Sequence, residues 1–241
     1  SNASRSTKNI AITMRTTGND FELATGFLFS EGVIRHKDDI LSISRNKEYD
    51  DDSNLENTVL IELNESVTID PEKIRNFYIN SSCGICGSSM IEGISKIHSK
   101  GDHSSHLEID ESILRRLPEN LKKKQDAFGI TGGIHAAALF GVDGEIHNLF
   151  EDVGRHNALD KLIGYQINEN ALPLSSFGLM LSGRTSFELV HKSALAGIPL
   201  IVAIGAPSSL AIEAAWEYEI TLVGFLSSDR FNIYSYPKRI T

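Results

Sequence analysis

The only two thiols among the 241 residues are Cys83 and Cys86. They stand three positions apart in the run Ser81-Ser82-Cys83-Gly84-Ile85-Cys86-Gly87-Ser88-Ser89. These small residues offer no apolar face to bury, so the spacing predicts a flexible loop. A thiol beside a glycine-rich turn is open to a partner, and nearby backbone N–H groups stabilise its thiolate, the form that attacks sulfur. The pair therefore suits persulfide chemistry, in which one thiolate takes the terminal sulfur of a donor persulfide, holds it and passes it on. The second thiol assists or resolves. Two alternatives stay open: inert cysteines, or half of a zinc site completed by two further ligands. The nearest candidates for such ligands, His98, His103 and His106, sit at irregular spacing in a polar stretch and read as surface histidines. A thioredoxin-like motif would need a strand-to-helix setting that this run lacks.

Three further clusters carry charge or hydroxyls where a strand gives way to a helix or turn. Glu151-Asp152-Val153-Gly154-Arg155-His156-Asn157 precedes an apolar helix, where N–H groups favour an anion, although plain helix capping by Asp152 explains it equally well. Ser182-Gly183-Arg184-Thr185-Ser186 and Gly205-Ala206-Pro207-Ser208-Ser209 repeat one arrangement a unit apart. Neither matches a phosphate-loop or dinucleotide fingerprint, yet together they suggest a ligand crevice at the carboxyl ends of a parallel sheet. Phe225-Leu226-Ser227-Ser228-Asp229-Arg230 adds an aromatic ring, hydroxyls and a guanidinium suited to a purine and its phosphates; a simple turn is the other reading.

The elements that must position these groups come in two styles. In the first part, Asn19-Asp20 predicts an N-cap for a helix with Phe21, Ala24, Phe27 and Leu28 on one face. Strand-like runs follow at Leu41 to Ser44 and Thr58 to Leu63, separated by an acidic loop, and Asp70-Pro71 opens a short helix. The expectation is a small α+β unit over residues 4–75. After the cysteine loop, Ile91 to Ile97 reads as a short helix and Glu111 to Asp126 as a longer one ending in Lys122-Lys123-Lys124, charges that complement the helix dipole.

From residue 134 the pattern is regular. Ile134 to Phe140 and Glu145 to Phe150 form a hairpin through Asp143-Gly144. A helix runs from Gly154 to about Ile167. Strands at Leu179 to Leu181, Leu200 to Ile204 and Thr221 to Phe225 then alternate with helices at Ser186 to Ala196 and Ser209 to Tyr218, before a last strand at Phe231 to Tyr234. Such alternation, with near-continuous apolar strands, implies an α/β domain over residues 76–241 whose sheet is mostly parallel and flanked by helices.

Composition narrows the function classes. A formal net charge of -9 disfavours extended contact with a nucleic-acid backbone, so nucleic acid is not expected as a partner. No run of eighteen apolar residues or secretory leader appears, so a soluble cytoplasmic protein without membrane contact is expected. Ser1-Asn2-Ala3 reads as a scar of tag removal.

Taken together, the ordered motifs resemble a known family. Ser82 to Gly87, Thr131-Gly132-Gly133-Ile134-His135, Glu151 to Ala158 with Asp160-Lys161, Ser182-Gly183-Arg184, and Gly224 to Arg230 with Asn232 and Tyr234 are similar to the signature of the FdhD formate dehydrogenase accessory proteins. The resemblance runs from about Thr17 to Ile240. It implies a sulfurtransferase that accepts sulfur from a cysteine desulfurase and passes it to molybdenum bis(molybdopterin guanine dinucleotide) before that cofactor enters formate dehydrogenase. On the family's pattern Cys83 carries the persulfide and Cys86 is the supporting thiol. The cofactor, or a guanine nucleotide standing in for it, is held by Phe225, Leu226, Ser227, Ser228, Asp229 and Arg230, aided by Gly183 and Arg184. Family members often carry more basic residues where this chain has Ser227-Ser228. The resemblance further implies a cytidine-deaminase-like fold, and a homodimer and no resident metal are expected. A zinc deaminase needs H-x-E ahead of P-C-x-x-C, whereas the only H-x-E here, His106-Leu107-Glu108, follows the cysteines. A cofactor-binding chaperone whose cysteines are merely structural is the other alternative.

Overall fold

The computed structural model describes residues 7–45, 57–68 and 107–241. Its main body is a six-stranded sheet with helices on both faces, the α/β class expected from the sequence. The strands are β3 (His135–Phe140), β4 (Ile146–Asp152), β5 (Gly178–Leu181), β6 (Leu200–Ala203), β7 (Thr221–Gly224) and β8 (Asn232–Ser235), ordered β4-β3-β5-β6-β7-β8. A separate antiparallel pair joins β1 (Ile40–Arg45) to β2 (Val59–Leu63).

The large sheet is mixed. β5, β6 and β7 pair in parallel, whereas β3 is antiparallel to both β4 and β5, and β8 is antiparallel to β7. β4 therefore points the same way as β5, β6 and β7, and only β3 and β8 run against them. The hairpin inserts β3 between β4 and β5, which is why the alternation of the sequence holds while only the central ladders are parallel. The carboxyl ends of β4, β5, β6 and β7 meet along one edge, joined there by the first residues of β3 and β8.

Two apolar layers hold this sheet. On one face α4 (Arg155–Asn168), α5 (Phe187–Leu195) and α6 (Ser209–Glu217) bury Leu159, Leu162, Leu189 and Ala215 against Leu179, Leu181 and Ile201. On the other, α2 (Glu111–Lys124) lays Leu114, Leu117 and Leu121, spaced at one helical stripe, on Phe140, Met180 and Val202. Alternate residues of each central strand thus feed opposite layers, so these strands are apolar without a break. The α2 start follows its sequence: Asp110 accepts from the Ser112 N–H at 2.8 Å.

Two elements depart from expectation. The chain after α2 forms a second short helix, α3 (Asp126–Thr131), because the distant Glu151 carboxylate accepts from the N–H groups of Ala127 at 2.8 Å and Phe128 at 2.9 Å. At the start of α1 (Asp20–Ser30), Asn19 adopts a left-handed φ of 56° and its side chain makes no capping bond. Asp20 is bound instead by Arg15 and Arg45.

α1 lies directly on α4. A Cβ at Gly26 would meet the Asp160 carbonyl oxygen at 1.9 Å, and one at Gly164 would meet that of Glu22 at 1.9 Å, so the two backbones touch through glycine. Ser30 and Lys192 converge on the buried Asp160 carboxylate, at 2.8 and 2.5 Å, tying α1, α4 and α5 together. The boundary expected at residue 75, the helix at Asp70-Pro71 and that from Ile91 to Ile97 lie outside the described residues. Among the described residues no helix is long and apolar enough to cross a membrane.

Candidate functional site

Cys83 and Cys86, with His98, His103 and His106, lie outside the described residues. Among the described residues no three His, Cys, Asp or Glu side chains group as a metal site. The remaining sequence-predicted residues converge at the carboxyl edge of the sheet.

Glycines let the three loops there pack backbone to backbone. A Cβ on Gly205 would stand 2.7 Å from the Arg184 nitrogen, and one on Gly224 would stand 2.8 Å from Pro207 Cδ. The Gly205 N–H donates to the Gly183 carbonyl at 3.1 Å, Thr185 N–H to Ala206 at 3.1 Å, and Phe225 N–H to Gly205 at 3.2 Å. Gly183 in turn seats against the His135 ring, where a Cβ would meet Nδ1 at 2.8 Å. The loops after β5, β6 and β7 therefore form one floor, as their repeated composition suggested.

On that floor Phe225 and Leu226 take opposite directions. Phe225 holds a left-handed φ of 54° and is 48% exposed, so its ring is available to a planar ligand. Leu226 is only 2% exposed and packs into the α2-side core, which leaves a ligand its backbone alone. Ser227 closes a tight turn with Arg230, its N–H donating to the Arg230 carbonyl at 2.9 Å and its Oγ accepting from Arg230 N–H at 3.1 Å. Ser228, Asp229 and Arg230 are exposed at the tip, and Arg184 is exposed on the loop after β5. Arg115 of α2, which sequence reasoning missed, donates to the Asp229 carbonyl while its guanidinium lies 5.3 Å above the Phe231 ring. Nothing local in the sequence couples positions so far apart.

The charged motif before α4 divides into structural and available groups. Asp152 is fully buried; its Oδ2 takes Lys161 Nζ at 2.8 Å and Thr16 N–H at 3.0 Å, and its Oδ1 takes Gly154 N–H at 2.9 Å and Asn157 Nδ2 at 3.0 Å. Asn157 also donates to the Met14 carbonyl at 2.8 Å. These groups strap the N-terminal segment across the start of α4; the capping expected of Asp152 is not made, because Gly154 holds the N-cap position and no side chain caps this helix. Arg155 and His156 remain. His156 Nε2 lies 3.0 Å from Ser186 Oγ and 3.2 Å from Glu188 Oε2, and Ser186 Oγ donates to the same oxygen at 3.0 Å. The His156 hydrogen bond, ahead of all other influences, holds the Glu188 carboxyl down at about 2. His135 is half-buried, and burial first, then the neighbouring Arg155, His156 and Arg184, push its imidazole below its ordinary value. Arg155, His156 and Arg184 thus gather their charges round His135.

A pocket of about 590 Å³ opens elsewhere, where Lys123 and Lys124 face Glu151 and Thr16. Its polar groups are already engaged: Lys124 donates to the Ile146 carbonyl at 2.6 Å, and Glu151 caps α3.

The model of the FdhD/NarQ family matches residues 4–241. This chain belongs to the FdhD/NarQ family. The sulfur carrier protein FdhD of Sulfurisphaera tokodaii is 42% identical over 97% of this chain and 85% of its own length. That of Picrophilus torridus is 44% identical over 96% and 84%, and that of Mycobacterium tuberculosis 41% identical over 96% and 86%. The fold is shared with a crystal structure from Desulfotalea psychrophila described as a formate dehydrogenase accessory protein, at a TM-score of 0.68, 21% identity, 95% of this chain and 82% of that one. The FdhD/NarQ assignment spans the cysteine loop and every crevice segment described above.

Proposed function

We propose that this protein is a sulfur carrier that loads a molybdenum cofactor for formate dehydrogenase. The carrying observation is the family match over residues 4–241, which includes the Cys83-Gly84-Ile85-Cys86 run. The Cys83 thiolate attacks the terminal sulfur of a persulfide on a cysteine desulfurase; the new S–S bond forms on Cys83 and the donor leaves as its own thiolate. Cys86 can then attack Cys83 Sγ, forming a disulfide and releasing the terminal sulfur as hydrosulfide, a balanced step whose two electrons come from the thiols. The client, molybdenum bis(molybdopterin guanine dinucleotide), is written as substrate. The exposed Phe225 ring, with Ser227, Ser228, Asp229 and Arg230 on its own loop and Gly183 and Arg184 on the loop after β5, supports a reading in which this edge takes the purine and phosphates of that client.

Mass analysis after incubation with a desulfurase and cysteine tests this reading. A reducible gain of one sulfur on Cys83 is expected, lost in Cys83→Ala and retained in Cys86→Ala. Undiminished loading and dehydrogenase activation by Cys83→Ala would refute the assignment. A cofactor chaperone with structural cysteines would bind the client without gaining sulfur at all.

A further inference from the structure

Arg155 and His156 belong to the charged motif before α4, and the proposed function leaves them without a task. The sheet register brings them to the crevice: His135 pairs with Asp152 across the β3–β4 ladder, α4 starts just beyond Asp152, and Gly183 packs on the His135 ring. The side chain of His156 reaches Ser186, just before α5, and Glu188 in its first turn, next to the Arg184 loop. We propose that Arg155, His156 and Arg184 form a subsite for phosphate-class oxyanions in the crevice, with Glu188 and Ser186 as positioning residues that orient the His156 ring.

Four observations carry this. First, among the described residues neither Arg155 nor Arg184 makes an ion pair, and the buried Arg155 Nε has no hydrogen-bond partner. A buried donor without an acceptor is costly, and an anion oxygen would relieve it. Second, Thr185, 1% exposed, keeps an unpartnered hydroxyl oxygen in the same loop. Third, the Glu188 carboxylate fixes the tautomer of His156. An ionised carboxylate only accepts, so Nε2 carries the proton, and Nδ1 is the nitrogen left for an incoming group. In the imidazolium form Nδ1 also donates, and an anion oxygen can accept from it.

Fourth, the acidic groups nearby are engaged. Asp152 is occupied by Lys161, Thr16, Gly154 and Asn157, and Glu188 by His156 and Ser186. Among the described residues the two guanidiniums therefore have no ion-pair partner, and they oppose a proton on His135 while the Asp152 carboxylate favours it. The backbone N–H groups in the first turn of α4 add to the field. A guanidinium pair and an imidazolium fit the oxygens of a diphosphate. The inference rests on the nucleotide reading of the crevice and assigns the diphosphate to this cluster, apart from the purine at Phe225.

Calorimetry on the full chain with sodium pyrophosphate, guanosine diphosphate and guanosine separates the parts. Arg155→Gln and His156→Gln should each weaken pyrophosphate and guanosine diphosphate about tenfold or more, as expected for one charge-assisted hydrogen bond, and leave guanosine within about twofold. Arg116→Gln, on the exposed side of α2, should change nothing. Glu188→Gln should weaken pyrophosphate and also alter the ring 15N shifts of His156, a change that a merely structural role would not produce. If His156→Gln does not fold, Arg184→Gln at an exposed position gives the same reading. Unchanged pyrophosphate and guanosine diphosphate affinity in folded Arg155→Gln and His156→Gln, or guanosine weakened equally, overturns the subsite. Wild-type protein that binds guanosine diphosphate no better than guanosine overturns the subsite and leaves the purine reading intact. Protein that binds none of the three overturns both. Pyrophosphate binding without guanosine diphosphate binding would support the subsite and identify free phosphates as its source.

Discussion

Replacing Asp152 with alanine should be among the most damaging single changes in this chain. Asp152 is fully buried, and its two oxygens accept from four donors: Lys161 Nζ, Thr16 N–H, Gly154 N–H and Asn157 Nδ2. Lys161 is 1% exposed, and beyond Asp152 its ammonium has, among the described residues, the carbonyls of Thr16 at 2.9 Å and Glu151 at 3.2 Å. Asp152→Ala leaves a buried, uncompensated ammonium and removes the acceptor of three other donors. Breaking such a pair from one side costs about 3 to 5 kcal/mol, a large share of a domain's total stability of about 5 to 15 kcal/mol. The opposite cut is milder: in Lys161→Met the carboxylate keeps three of its four donors, so the loss should be about 2 kcal/mol. Asp152→Asn combined with Lys161→Met removes both charges and should recover part of the deficit through coupling of about 1 to 3 kcal/mol. Urea unfolding at neutral pH measures all three. A cost for Asp152→Ala below that of Lys161→Met, or below about 1 kcal/mol, would refute this role of Asp152.

Further outcomes follow from single contacts. The Glu188 carboxyl is held at about 2 against an ordinary 4.5, so its stabilisation is present above about 4.5 and is lost as pH falls through about 2. The stability gap between wild type and Glu188→Gln should be on the order of 2 kcal/mol near pH 5 and close toward pH 2, as urea titrations across that range would show; a gap independent of pH would contradict it. Gly26→Ala would drive a Cβ to within 1.9 Å of the Asp160 carbonyl oxygen. Prising α1 from α4 should cost about 3 kcal/mol, and a loss under about 1 kcal/mol would mean that the two helices are not in backbone contact. Phe225→Gly removes a side chain from a residue with φ 54°. Stability should hold or rise by up to about 1 kcal/mol, since relief of left-handed strain offsets glycine's unfolded-state entropy. Guanosine affinity should nevertheless fall about tenfold if the ring stacks on the base, and unchanged calorimetric binding would remove Phe225 from the site.

The sequence alone determined what depends on near neighbours. The α2 stripe of Leu114, Leu117 and Leu121, its Asp110 cap, the hairpin turn at Asp143-Gly144 and the unbroken apolar strands are all legible, because helical and hairpin energetics act over a few residues. The ordered motifs likewise sufficed for the family, and the strand-end loops pointed to the crevice. Tertiary structure decided what depends on distant partners. It inserted β3 between β4 and β5, so the sheet is mixed. It also separated neighbours in the motifs: Asp152 became a buried strap anchor while Arg155 and His156 stayed available, and Phe225 turned outward while Leu226 turned in. Residues adjacent in sequence share local propensity, but burial and charge pairing depend on which remote side chain arrives. Glu151 at α3, Lys192 at Asp160 and Glu188 at His156 each come from another element of the fold, and sequence spacing carries no trace of such encounters.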